Sequence, residues 1–274
     1  MSTQATDVRF SLLGPVTATR EGVLLDLGPR QRRVLLIRLL VARGRAVRLD
    51  QLCNDLWEDR PPARAATSVH AHISRLRRAL HPAGPSGAVR DGALATTPYG
   101  YVLHVADEDR DTTRFERAVA YGRELLDAGQ PELAADELDA ALAAWHGNAL
   151  EDAAALPFAA REVTRLTECR HTARELRVRA LLMAGRPDKA VHAAHDLIAD
   201  EPLRESAWGL LMRSLWLLGR SAEAAQQYDR ARHVLRGELG VEPGPALRRL
   251  RQAIQQSDVF VFDGATHYRA QVAC

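Results

Sequence analysis

The residues whose types and spacing could do chemistry lie in one run, Arg64 to Leu80, which reads RAATSVHAHISRLRRAL. On a helix its apolar residues fall at i, i+4, i+7 and i+11 and form a single stripe, which is Val69, Ile73, Leu76 and Leu80. The opposite face carries small, polar and cationic groups: Ser68, His70, Ala71, Ser74, Arg75 and Arg78, with Arg64 and Thr67 at its entry. The run contains no acidic residue. Small residues allow close approach to a DNA major groove and arginine pairs with guanine edges or phosphates, so the pattern indicates a DNA-reading helix; the alternative is an ordinary amphipathic surface helix.

The elements around this run must hold it in place. Asp50 is a candidate N-cap for a short helix with Leu52, Leu56 and Trp57 on its buried face, and Pro61-Pro62 forces a loop before the basic helix. Upstream, strands are predicted at Val8–Leu13, Val16–Ala18 and Val23–Leu27, then a buried helix that opens at Gly28-Pro29 and stops at Gly44, and a brief strand at Ala46–Arg48. Downstream, Asp91-Gly92 between Val89-Arg90 and Leu94–Thr97 suggests a hairpin that Tyr99–Val105 completes. Short strands, three helices and a hairpin predict an α+β winged helix.

The second half of the chain has an internal repeat. The segments beginning at Leu125, Leu181 and Leu215 share an apolar pair, a glycine, a polar pair and an alanine that starts the next helix. Gly185 and Gly219 are 34 residues apart, the period of a tetratricopeptide repeat. We expect an all-α repeat domain with helices at Arg114–Ala128, Glu132–Trp145, Pro157–Ala184, Pro187–Ala199, Glu205–Leu218, Ser221–Leu239 and Pro245–Gln256. An extra element at Ala149–Leu156 fills the longer first interval, Gly129 to Gly185.

The length, charge distribution and cysteine content of the chain limit the kinds of protein that it can be. The 274 residues suffice for two domains, and the net charge of +2 hides a basic first part. Residues 1–105 hold 15 arginines and 8 acidic residues, whereas residues 106–274 hold 22 basic and 27 acidic residues. The cysteines, Cys53, Cys169 and Cys274, are too few and too scattered for a disulfide framework or a zinc site, and Cys53 is expected in the core. With no signal segment or long apolar run, we expect a cytoplasmic protein without a membrane partner.

Catalysis, cofactors and metals are not expected. The sequence has no GxxxxGK[ST] phosphate loop and no GxGxxG after a strand. His70 and His72 face different sides of one helix and have no acidic or cysteine partner at ligand spacing. His192 and His195 are expected to be solvated or interhelical, and the acidic cluster Asp107–Asp111 is expected to be a linker.

Two sets of motifs are specific enough to identify a family. The run LWEDRPPARAATSVHAHISRLRRAL, followed by PYGYVL, resembles the DNA-binding domain of the Streptomyces antibiotic regulatory protein family, which is similar to the winged helix at the output end of response regulators. Trp145-His146-Gly147, the 34-residue repeat and Glu238-Leu239-Gly240-Val241-Glu242-Pro243-Gly244 resemble the bacterial transcriptional activation domain of the same family. The domains expected are 1–105 for the winged helix, 106–112 for a linker, 113–256 for the activation domain and 257–274 for a tail.

The resemblance implies a transcriptional activator of antibiotic or secondary-metabolite genes that binds direct repeats near the −35 region as a dimer or side-by-side oligomer. It also implies contacts to the RNA polymerase holoenzyme, including the sigma factor, and a third helix whose residues Thr67 to Arg78 enter the major groove. Within it, His70, Ala71, Ser74 and Arg75 are expected at base edges, and Arg64, Arg75, Arg77, Arg78 and Arg90 mainly at phosphates. Arg77 lies toward the buried flank, where it could instead brace the helix. Thr97 stands before Pro98 where relatives often have a basic residue, so Arg90 must supply more of the wing contact.

Two other functions fit the same sequence. One is a scaffold or adaptor whose repeats bind peptides, with the basic first domain incidental. The other is a ligand-sensing repressor with an effector pocket among the repeats. The scaffold is distinguished from the activator by whether the basic domain binds DNA with sequence preference. The repressor is distinguished from it by the position of the DNA footprint relative to the −35 region.

Overall fold

The computed structural model describes residues 8–58, 60–80 and 93–256. They pack as two compact units. The first is formed by the chain up to Arg117 together with Ala143–Cys169, and the second by Ala118–Leu142 together with the chain from Arg170. Arg90, the Asp91-Gly92 turn and the predicted tail 257–274 lie outside the described residues.

The first unit begins with a small antiparallel sheet in the order β1-β2-β3, made of β1 Val8–Ser11, β2 Thr17–Arg20 and β3 Val23–Leu24. Phe10 pairs with Ala18, and both are buried. Arg9, between Val8 and Phe10, is exposed, which is the two-residue period of a half-buried strand. The third strand is shorter than predicted, and its side chains point to solvent, with Val23 67% and Leu24 66% exposed.

Three helices follow: α1 Arg30–Val41, α2 Leu49–Trp57 and α3 Ala65–Leu80. Helix α1 is largely buried, as predicted, and α3 packs on both α1 and α2. The predicted N-cap was wrong, because α2 begins before Asp50. Arg48 is the capping residue, its backbone N–H donates to Gln51 Oε1 (3.2 Å), and Asp50 lies in the first turn. There the carboxylate lies at the positive end of the helix dipole and pairs with Arg48 (3.0 Å).

A second sheet of two strands, β4 Leu94–Thr97 and β5 Gly100–Leu103, forms an antiparallel hairpin around Pro98 and Tyr99. Val47 joins it through an isolated bridge to Tyr101, with backbone hydrogen bonds of 2.9 Å in both directions, so the brief strand predicted at Ala46–Arg48 is present as a single bridge. Gly100 makes the approach possible. Its φ is +129°, and a Cβ at this position would lie 2.1 Å from the carbonyl oxygen of Val47.

Residues 106–117 and 143–169 are packed parts of the first unit. Arg110 (5% exposed) and Asp111 (6%) are buried, so the segment predicted as a charged linker holds the sheet instead. The Asp111 carboxylate accepts hydrogen bonds from the backbone N–H of Leu12 (2.9 Å) and Leu13 (3.1 Å) and from Ser11 Oγ (2.6 Å). The extra element predicted at Ala149–Leu156 is a 3-10 turn, Glu151–Ala153. Before it, the backbone N–H groups of His146 and Leu150 donate to the carbonyls of Leu13 and Leu12.

The remaining helices are α4 Asp111–Asp127, α5 Pro131–Leu142, α6 Pro157–Met183, α7 Pro187–Asp200, α8 Glu205–Leu217, α9 Ser221–Leu239 and α10 Pro245–Gln256. Helix α5 ends three residues earlier than predicted, because Trp145 turns away to pack edge-to-face on Phe115, with ring centroids 5.4 Å apart. In the part of the chain that the structure describes, no helix is both long and apolar enough to cross a bilayer.

The predicted repeat is confirmed in the second unit. Gly129, Gly185 and Gly219 all have φ near +70°, and each ends a helix with the same pair of backbone bonds, for example Gly185 N–H to the Leu182 carbonyl and Arg186 N–H to the Leu181 carbonyl. Ala190 and Ala224, five residues after their glycines, are fully buried. Helices α7, α8, α9 and α10 then pack in sequence on their neighbours, as expected of a helical repeat.

Candidate nucleic-acid interface

Helix α3 has the two faces that its sequence predicts. Val69, Ile73, Leu76 and Leu80 are at most 1% exposed. Of the predicted DNA-contacting residues, Ser68 and Arg77 are half-buried and the rest of the described set is exposed: Arg64, Thr67, His70, Ala71, Ser74, Arg75 and Arg78. The structure thus brings nine of the ten predicted residues onto one element and its entry. The tenth, Arg90, lies outside the described residues.

The arginines on this face differ from others in the same unit in their ion pairing. Within the described ranges, Arg64, Arg75 and Arg78 form no ion pair with an acidic side chain. Elsewhere in the same unit arginines are paired, as in Arg33–Asp152 (2.8 Å) and Arg38–Asp55 (2.6 Å). A face of cations without acidic partners creates a positive potential that attracts a polyanion.

Both ends of the helix are anchored. At its start, Pro61-Pro62 is followed by a turn in which the Ala65 N–H donates to the Pro62 carbonyl (2.9 Å). At its end, Arg20 on β2 donates to the carbonyl of Leu80, where a cation also interacts favourably with the helix dipole. A turn thus fixes the start of the helix, and a contact with the sheet holds its end, while its cationic face remains exposed.

Arg77 braces the helix against the hairpin, which is one of the two roles that the sequence leaves open. Its Nε donates to the carbonyl of Leu94 (2.9 Å) and its Nη2 to Thr96 Oγ1 (2.6 Å). Its guanidinium also lies 5.9 Å from the centre of the Tyr101 ring. These contacts connect α3 to both strands of the hairpin.

The two histidines of α3 have opposite surroundings, as their spacing predicts. His70 is exposed, and its Nδ1 lies 2.6 Å from the hydroxyl of Tyr101. His72 is on the buried side of α3. Its burial lowers the pKa of the imidazole, and the positive charges of Arg32 and Arg75 lower it further. His72 is therefore neutral near pH 7 and belongs to the core. Among the described residues there is no cluster of three or more potential metal ligands.

The tip of the hairpin carries a residue that the sequence reasoning missed. Tyr99 is 78% exposed, next to Pro98. Thr97 Oγ1 donates to the carbonyl of Gly100 (3.1 Å) and accepts from the Tyr99 N–H (3.3 Å), which fixes the turn. Thr97 is thus a turn residue in this structure. The exposure of Tyr99 follows from the strand register, which the PYGYVL motif alone does not reveal.

A groove of about 720 Å³ lies between α2, α3 and the hairpin, lined in part by Arg48, Cys53, His70 and Tyr99. Cys53 is only half-buried, so its predicted place in the core was wrong. Burial and the nearby charge of Asp50 raise the pKa of its thiol, which keeps it protonated. The thiolate is the reactive form of cysteine, so this shift lowers the fraction of Cys53 that is in the reactive form.

The second unit has a smaller concavity of about 200 Å³, lined by Asp139, Arg170, Arg174, Arg177 and Asp196 among others. Two of its arginines are paired, Arg174 with Asp200 and Arg177 with Asp139. His192 and His195, on α7, are exposed, which matches the first of the two predicted alternatives, solvated or interhelical.

Both parts of the chain match known protein families. Residues 22–103 match the family described as "Transcriptional regulatory protein, C terminal", and residues 110–255 match the "Bacterial transcriptional activator domain". The chain is 34% identical to the transcriptional regulatory protein EmbR of Mycobacterium tuberculosis over 245 residues, which cover 89% of this chain and 62% of that protein. It is 32% identical to the regulatory protein DnrI of Streptomyces peucetius over 254 residues, 92% of this chain and 93% of that one.

A solved structure, Mycobacterium tuberculosis EmbR in complex with a low affinity phosphopeptide, superposes with a TM-score of 0.84 at 33% identity. The match covers 92% of this chain and 65% of that one, so the chain spans less than two thirds of this relative's length. Both halves of the chain, in this order, match the domains of one group of regulators. The chain therefore belongs to the Streptomyces antibiotic regulatory protein family of transcriptional regulators.

Proposed function

We propose that this protein is a sequence-specific DNA-binding activator of transcription and that α3 lies in the major groove of its site. The observation that carries the proposal is the exposed face of α3, which has no acidic residue of its own. Small polar residues occur there together with arginines that form no ion pair with any acidic side chain that the structure describes. The helix has 16 residues, so it is about 24 Å long and can cross a major groove.

The proposed contacts divide by chemistry. His70, Ala71, Ser74 and Arg75 lie on the exposed face and are the proposed readers of base edges. Arg64 and Arg78, also exposed, and Arg90 are proposed to bind phosphates, with Thr67 and Ser68 at the entry of the helix. The hydrogen bonds of Arg77 to the hairpin favour its bracing role over a DNA contact.

The proposal extends to assembly on a promoter. Protomers bind direct repeats near −35 side by side and contact the RNA polymerase holoenzyme, including its sigma factor, at genes of antibiotic or secondary-metabolite biosynthesis. Membership of the family supports this proposal. The domain bounds 1–105, 106–112, 113–256 and 257–274 stay a prediction. The family matches agree with them approximately, whereas the compact units divide the chain elsewhere.

The peptide-binding scaffold and the ligand-sensing repressor stay as alternatives. The concavity in the second unit is small, and Arg174 and Arg177 in its wall are already paired with carboxylates, so it favours neither. A DNA footprint that overlaps the transcription start site rather than the −35 region would support the ligand-sensing repressor.

The test is binding of the full chain to a DNA site selected from a random library and to a scrambled version of that site, at about 50 and about 200 mM salt. Charge attraction alone weakens on both DNAs as salt rises, whereas a sequence reader keeps a ratio of about a thousandfold or more between them. A retained ratio, larger on paired direct repeats than on one, supports the proposal. Loss of the ratio at the higher salt would contradict it.

A further inference from the structure

Tyr101 and His70 form a contact that links the hairpin to the exposed face of α3. The tyrosine hydroxyl lies 2.6 Å from His70 Nδ1, and the two rings meet edge-to-face with centroids 6.2 Å apart. Tyr101 is only 6% exposed, whereas His70 is exposed on the face proposed to meet DNA. A buried group thus holds one nitrogen of an exposed imidazole.

The position of Tyr101 is fixed before any DNA arrives. Its backbone N–H and carbonyl both bond Val47, and it stands opposite Thr96 in the hairpin. The Arg77 guanidinium lies over its ring and is itself hydrogen-bonded to Leu94 and Thr96. A residue held by three elements can fix the orientation of the side chain that it contacts.

The chemistry of the two groups indicates which one donates. A phenol O–H is a stronger acid than the N–H of a neutral imidazole, and the bare imidazole nitrogen is a better acceptor than a phenol oxygen. The two atoms are 2.6 Å apart, within hydrogen-bond distance, so the preferred arrangement has the hydroxyl as donor and Nδ1 as acceptor. In addition, burial raises the pKa of Tyr101, against a smaller opposing effect of Arg77, so the phenol keeps its proton.

We propose that Tyr101 is a positioning residue that makes His70 a hydrogen-bond donor toward DNA. A neutral imidazole that accepts at Nδ1 carries its proton on Nε2. That N–H matches an acceptor on the major-groove edge, such as guanine N7 or O6, adenine N7 or thymine O4. The opposite tautomer would instead present an acceptor, suited to the amino groups of adenine or cytosine. This inference rests on the proposed function for its DNA partner, but the tautomer is a property of the free protein.

The first test is nitrogen-15 NMR of the histidine rings in the full chain without DNA, at about pH 8, where unperturbed histidines are neutral. His70→Asn identifies the His70 signals. We expect a protonated Nε2 and an unprotonated Nδ1 in the wild type, and a shift toward the tautomeric average in Tyr101→Phe. Tyr99→Phe, on the same hairpin but 78% exposed, is the control and should leave the signals unchanged. A protonated Nδ1 in the wild type, or no response to Tyr101→Phe, would overturn the proposal.

The second test measures binding to a panel in which each base pair of the selected site is replaced in turn. Loss of one hydrogen bond changes affinity by about two- to tenfold. We expect His70→Ala and Tyr101→Phe to lose discrimination by this amount at the same base pair, with little further loss in the double variant. Independent, additive losses at different base pairs would show that Tyr101 does not act through His70.

The two proposals can fail separately. A wild type that binds every DNA equally refutes the proposed function, and the NMR result still decides the tautomer. A wild type that reads sequence while His70→Ala keeps full discrimination refutes only the inference about His70 and Tyr101.

Discussion

Replacing Asp111 with Asn should destabilise the protein strongly, although the two side chains have nearly the same shape. The Asp111 carboxylate is the partner of two backbone N–H groups and one hydroxyl of the first strand and the residues after it, and it is buried. It is also the first residue of α4, where a negative charge is favoured by the helix dipole. An asparagine at this position keeps one oxygen and places an amide N–H₂ group against donors.

The magnitude follows from the kind of bond. A hydrogen bond to a charged group contributes about 1.5–3 kcal/mol, and a buried donor without an acceptor costs a further penalty of about 1–3 kcal/mol. At least one of the three bonds to Asp111 is lost in the variant. We therefore expect Asp111→Asn to lower the free energy of unfolding of the first unit by about 2.5–6 kcal/mol.

The assay is urea unfolding of the full chain, followed by circular dichroism and by tryptophan fluorescence, because two units can unfold in separate transitions. Asp188→Asn is the matched control. Asp188 is also an acid in the first turn of a helix, α7, but it is exposed, so its loss should cost no more than about 1 kcal/mol. If the two variants are equally stable, the buried hydrogen bonds of Asp111 do not hold the sheet and the reasoning is refuted.

Three further outcomes are expected. Arg75→Ala should weaken DNA binding by about 1–3 kcal/mol and relax specificity at one base pair, whereas Arg78→Ala should weaken binding to every sequence and reduce the slope of log affinity against log salt concentration by about one. Unchanged affinity and sequence preference in a folded Arg75→Ala variant would show that the DNA-reading face lies elsewhere. Gly100→Ala should lower the free energy of unfolding by about 3 kcal/mol or more, because the new Cβ would collide with the backbone of Val47. Gly44 also has a positive φ, +77°, but open space around it, so Gly44→Ala should lower the free energy of unfolding by only about 1–2 kcal/mol in the same urea titration. Equal losses in the two variants would contradict the steric argument. Burial lowers the pKa of His72 below its unfolded value of 6.5, so between the two values the unfolded chain binds a proton that the folded chain does not, and the free energy of unfolding falls as the pH drops. His72→Gln should therefore reduce the difference between the urea midpoints at about pH 7.5 and about pH 5.5, whereas His104→Gln, at an exposed position, should not. An unaltered difference in His72→Gln would contradict this account.

The helices and their faces could be read from the sequence because they depend on local periodicity. The apolar stripe of α3 is the buried face in the structure, and the three glycines that mark the repeat end helices with one common geometry. Helix bounds in the second half agree with the prediction within three residues. The largest differences are at the start of α4 and at the end of α5, where Trp145 packs on Phe115 instead of extending the helix. These features follow from neighbours three or four residues apart and from where glycine is needed.

Contacts between residues far apart in the chain could not be read in this way. Asp107–Asp111 looks like a linker because it is charged, yet Asp111 binds residues about 100 positions earlier, and Asp152 binds Val16 and Arg33. A fragment that ends at residue 105 would lack both carboxylates, so DNA binding by the winged helix is best measured on the full chain. Burial of a charge is favourable only when donors surround it, and those donors are assembled by folding.

By itself, the sequence determined the acid-free helix, its cationic face and the repeat, since each follows from residue type and local spacing. The tertiary structure alone decided that Arg77 braces the hairpin, that Tyr101 holds His70, and that residues after 105 complete the first sheet. In each of these cases the partners are at least 17 residues apart, and only the packed fold determines which donor meets which acceptor.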